Sequence, residues 1–92
     1  MKSNIISMHI SYNFSEKHYK ILSSKSDGAE LRMDLEEELY RFDISHPAFN
    51  YTSDNVTSIE LVVFGSNTIF DNIFKKISEI EYTIEKFLDS KL

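Results

Sequence analysis

The last quarter of the chain carries the pattern that most restricts its fold. Ile69, Ile73, Ile77, Ile80, Ile84, Phe87 and Leu88 recur at three- and four-residue intervals, so a helix places them along one side. The stripe is wide. It requires a broad apolar surface to lie on, which a sheet of the same chain or a second subunit would supply. The spacing predicts a helix that ends near Asp89. Gly65 is expected to break the strand before it, and Ser66-Asn67-Thr68 to cap its start.

Three segments read as strands. Ile6, Met8, Ile10, Tyr12 and Phe14 alternate with Ser7, His9, Ser11 and Asn13, the period of a half-buried strand with one wet face. Ala48 to Thr52, with Phe49 and Tyr51 alternating, predicts a short strand, and Pro47 closes off any helix before it. Ser53-Asp54-Asn55 predicts a turn. Val56 to Phe64 then returns. Its end, Leu61-Val62-Val63-Phe64, is apolar on both faces, which predicts a central place in the sheet.

Ser15 to Ser24 fits two structures. One is a short helix capped by Ser15, with Phe14 stapled to Tyr19. The other is a strand with Tyr19 and Ile21 inward. The helix is preferred, because Phe-Ser-Glu-Lys lacks a tight-hairpin turn pair. Asp27-Gly-Ala-Glu30 is a capping-box variant that should start a helix running to about Phe42. Leu31, Leu35, Leu39 and Phe42 form its core stripe; Met33, Tyr40 and Ile44 form a smaller apolar line on another side. The expected fold class is therefore α+β. A small three-stranded, mainly antiparallel sheet carries helices on one face, in the order β-α-α-β-β-α. Residues 1–92 make one domain, large enough for a single core.

Charge narrows the function. The net charge is −5, unevenly spread. Residues 1–26 carry four Lys and one Glu, residues 27–60 nine acids and two Arg, and residues 61–92 five acids and four Lys. An acidic domain repels phosphate backbones, which argues against nucleic acid as a ligand. The element order resembles that of KH domains, whose Gly-x-x-Gly loop clamps a nucleic-acid backbone. Here the corresponding stretch, Ser23-Ser24-Lys25-Ser26-Asp27-Gly28, holds one glycine and leads into an acidic helix.

Other chemistry finds no motif. There is no cysteine, hence no disulfide or thiolate site, which suits a reducing compartment, and a cytoplasmic location is expected. The longest near-apolar run, Leu61 to Phe64, is four residues, against about 20 for a membrane span. Lys2 is not followed by an apolar signal segment, so export is not expected. The three histidines, His9, His18 and His46, lack ligand spacing, and no metal or cofactor is expected. Thirteen serines include no Gly-x-Ser-x-Gly elbow, since the only glycines are Gly28 and Gly65, and no enzyme activity is expected.

The central helix remains. Glu30, Asp34, Glu37, Glu38 and Arg41 fall on one side of it. Glu30–Asp34 and Asp34–Glu38 are like-charge pairs four apart, which weaken a helix by a few tenths of a kcal/mol each; Glu37–Arg41 is the expected favourable pair. Either this is a solvated face, or it docks a basic protein surface. In the second case Asp34, Glu37, Glu38 and Glu30 steer the partner while Met33 and Tyr40 anchor it. Small inhibitors, immunity proteins and anti-defence proteins of phage have this size and charge. The alternative is a structural protein that homodimerises through the C-terminal helix.

Overall fold

A computed structural model describes residues 5–66 and 70–92. Its elements follow the expected order: β1 (Ile5–Asn13), α1 (Glu16–Leu22), α2 (Gly28–Leu39), β2 (Ile44–Thr52), β3 (Asn55–Ser66) and α3 (Phe70–Asp89). The three strands form one antiparallel sheet in the order β1-β3-β2. Residues 15–24 take the helical alternative, with Ser15 at the cap position but making no side-chain cap hydrogen bond.

Ile73, Ile80, Ile84 and Leu88 of α3 are fully buried in one cluster with Val56, Ile59, Leu61 and Val63 of β3. α1 also lies against β3, and α2 packs on both α1 and α3 through Leu35 and Leu39. The α2 stripe is the expected one from Leu31 to Leu39, while Phe42 packs against the core from beyond the end of the helix. The expected Ile69 and the Asn67-Thr68 cap lie outside the described residues.

Several expectations are corrected. Gly65 does not break β3, which runs on to Ser66. A Cβ at Gly65 would lie 3.1 Å from the Ile73 Cβ, so the glycine lets α3 approach the strand. α2 ends at Leu39, and Ile44 belongs to β2 instead of extending the helix. Pro47 stands inside β2, not before it, at a break in register between Ser45 and Ala48. This position is open to proline because β2 is an edge strand. In the hairpin turn the left-handed residue is Ser53, with φ 56°. As expected, β3 is central and the helices lie on one face of the sheet, so Val62 and Phe64 on the other side stay half-exposed. Asp27 holds the N-cap position of α2 without a side-chain cap bond. There the Gly28 N–H donates to the Ser24 carbonyl at 2.9 Å instead.

Two polar clasps join the helices. Arg32 Nη1 donates to the Leu22 carbonyl at 2.6 Å, tying α2 to the end of α1. His18, 3% exposed, places Nε2 2.7 Å from Asp89 Oδ1, which ties α1 to the end of α3. Its Nδ1 is buried with no hydrogen-bond partner. His18 is therefore a core residue, which its sequence context does not reveal. Its hydrogen bond, with Lys17 Nζ at 3.4 Å, holds the Asp89 carboxyl below the ordinary carboxylate range, against a smaller opposing effect of burial. Beside this clasp, burial and then the charges of Glu85 and Glu81 push the Tyr12 hydroxyl up to about 12.

Two stability measurements follow from these contacts. Gly28→Ala would normally stabilise a helix, but the new Cβ would sit 2.5 Å from the Leu22 carbonyl oxygen. Urea unfolding should therefore show a loss of about 1–3 kcal/mol, and a gain would contradict the close approach. The folded pKa of Asp89 lies below its unfolded value, so its contribution is present above the unfolded pKa and fades as pH falls through the folded one. The stability advantage of the wild type over Asp89→Asn should shrink between about pH 6 and about pH 3. An advantage independent of pH over that range would exclude the ionic contribution.

Candidate functional site on the outward face of α2

Because Leu35 and Leu39 face the other helices, the opposite side of α2 is turned to solvent. Met33 is 64% exposed and Tyr40 57% exposed, so α1 does not cover them. They lie about 10 Å apart along the helix, two turns on one side. Glu37 stands between them and Glu30 one turn before Met33, both exposed. The site is thus a short apolar line edged by carboxylates.

The acids do not form one uniform row. Glu38 is half-buried and paired with Arg41 at 3.6 Å, so the favourable pair is Glu38–Arg41, three apart, and not Glu37–Arg41. Among the described residues Glu30, Asp34 and Glu37 make no ion pair, while Lys17, Lys20 and Lys76 pair with Asp89, Glu16 and Asp43. Asp34 is half-buried and, with Glu30, lines a groove of about 360 Å³ between α1 and α2, floored by Ile21 and Leu31. Lys91, over the Phe87 ring at 5.2 Å, stands at the same groove. Of the six residues expected to bind a partner, Glu30, Met33, Glu37 and Tyr40 therefore share the outward face. Asp34 turns toward the groove, and Glu38 toward Arg41.

The remaining acids of the middle segment are dispersed. Asp43 lies 3.8 Å from Lys76, and Glu60 is on the sheet face that carries no helix. Asp54 stands at the β2–β3 turn beside a cleft shared with Lys25 and Arg32. One feature of that cleft is absent from the sequence pattern. The Arg32 guanidinium sits 5.8 Å from the ring centre of Tyr51, which is 56% exposed. Nothing in the spacing of Arg32 and Tyr51, nineteen positions apart, signals the contact.

The helix-free face of the sheet has its own shallow cleft of about 400 Å³, lined by His9, Ser11, His46, Glu60 and Val62 among others. His46 has φ 55° at the β2 bulge, and its Nδ1 is hydrogen-bonded to the Ser45 hydroxyl. Among the described residues no three His, Asp or Glu side chains converge as a metal site. No helix of the described residues is long and apolar enough to cross a membrane. No known protein family, curated protein or solved structure matches the chain.

Proposed function

We propose that the chain is a small protein-binding module whose α2 docks on a basic surface of another protein and occludes it, in the manner of inhibitors and immunity or anti-defence proteins. The carrying observation is the exposure of Met33 and Tyr40 beside Glu30 and Glu37, carboxylates with no ion pair among the described residues. Exposed tyrosine and methionine supply contact area that adapts to a partner, and unpaired acids steer a basic one. The chain's own net charge of −5 adds to that steering.

The alternative, homodimerisation through α3, has less apolar surface to use. Ile73, Ile80, Ile84 and Leu88 are spent inside the chain, and among the described side chains of the helix the exposed large apolar ones are Phe74 and Tyr82.

Affinity capture from the native host, with mass spectrometry, identifies the partner. Titration calorimetry then compares Met33→Ala, Tyr40→Ala and the pair Glu30→Lys/Glu37→Lys with the wild type. Each alanine variant should weaken binding by about 1–2 kcal/mol, or roughly 5- to 30-fold. The lysine pair should slow association and remove most of the salt dependence. Circular dichroism confirms folding of each. Unchanged affinity in all three folded variants would rule α2 out as the docking element.

A further inference from the structure

The sheet has two edges, and they are built differently. β2 carries devices that discourage strand addition: Pro47, the left-handed His46 and two breaks in register with β3. β1 has none of these. It pairs with β3 without a break from Ile5 to Asn13, and its sequence contains no Lys, Arg, Asp, Glu, Pro or Gly. A long, unbroken, uncharged edge is a template for another strand.

The direction of its free backbone groups follows from one hydrogen bond. The Phe14 N–H donates to the Thr57 carbonyl at 3.0 Å and continues the β1–β3 register by one pair. Bonded pairs alternate in an antiparallel ladder. Ile6, Met8, Ile10 and Tyr12 therefore turn their N–H and C=O groups toward β3. Ile5, Ser7, His9, Ser11 and Asn13 turn theirs outward. Among the described residues no backbone hydrogen bond reaches that outer side.

We propose that the β1 edge pairs with β1 of a second copy, antiparallel across a twofold axis, joining two sheets into one of six strands. The pairing with greatest overlap centres on His9. It sets Ser7 opposite Ser11 of the second copy. On the helix-bearing face it sets Ile6 opposite Tyr12 and Met8 opposite Ile10 of the second copy. All four of these side chains are half-buried in the single chain, and each would gain an apolar cross-strand neighbour.

α3 lies over β3, with Ile73 at Gly65, and its Glu81 and Glu85 reach toward Tyr12 of β1. An added peptide strand satisfies the backbone groups, whereas a second β1, reversed by the twofold axis, also supplies the matching Tyr12, Ile10, Met8 and Ile6 side chains. The seam uses none of the outward residues of α2, so dimerisation and docking are separable.

Light scattering on a sizing column, with the full chain at sub-millimolar concentration, tests the seam. The wild type should have twice the mass of one chain. Ser7→Lys/Ser11→Lys sets like charges opposite each other across the seam and should raise the dimer dissociation constant at least about tenfold. Ser7→Glu/Ser11→Lys sets opposite charges there and should keep the dimer. Ser7 and Ser11 are both exposed on the helix-free face, and circular dichroism checks that both variants fold. A monomeric wild type at that concentration overturns the proposal. So does a dimer that survives in S7K/S11K, or one that is lost in S7E/S11K.

Discussion

Packing of α3 on β3 is the contact on which the other elements depend. Ile73, Ile80, Ile84 and Leu88 meet Val56, Ile59, Leu61 and Val63 in a cluster closed to solvent. Each such side chain contributes about 1.5–3 kcal/mol by leaving water. The strand involved is the one hydrogen-bonded on both sides, so α3 holds the whole sheet through its middle. Gly65 permits the approach at one end, and the His18–Asp89 bond fastens the other.

That packing leaves α2 as a second tier. It rests on α1 and α3 and uses only the Leu31, Leu35, Leu39 side. Its remaining surface is turned to solvent and carries Met33, Tyr40 and acidic side chains. Met33 and Tyr40 would be better buried, and Glu30, Asp34 and Glu37 better paired, if stability alone decided. Three cations of the same region are engaged elsewhere, Arg32 on the Leu22 carbonyl, Arg41 on Glu38 and Lys76 on Asp43 and the Phe64 carbonyl, while Lys91 stands at the groove that Glu30 and Asp34 line. The face is thus acidic because of where the cations go, as much as because of where the acids are.

One-sided cover of the sheet has a further consequence. The run Leu61-Val62-Val63-Phe64 has the composition of a strand buried on both faces, yet only Leu61 and Val63 are buried. Val62 and Phe64 lie on the helix-free side among small polar residues of β1 and β2. β1 and β2 end the sheet on either side, one protected by a bulge and a proline and the other plain.

Periodicity determined the strands, the buried stripe of α2 and the stripe of α3, because a repeat of 3.6 or 2 residues is a local property that survives any packing, while α1 was favoured over a strand only by the lack of a hairpin turn pair. Turn and cap details were less legible. Asp27 and Ser15 stand where caps belong but make no cap bond, and Asp27 has helical backbone angles in place of the extended ones that a capping residue uses. Pro47 and Gly65 look like punctuation in the sequence, yet both lie within strands, one tolerated at an edge and the other required by α3. His18–Asp89, Arg32–Tyr51 and the freedom of the outward α2 face were settled only in three dimensions. Each depends on residues far apart in the chain, whose meeting is fixed by the direction in which whole elements pack. No local pattern carries that direction.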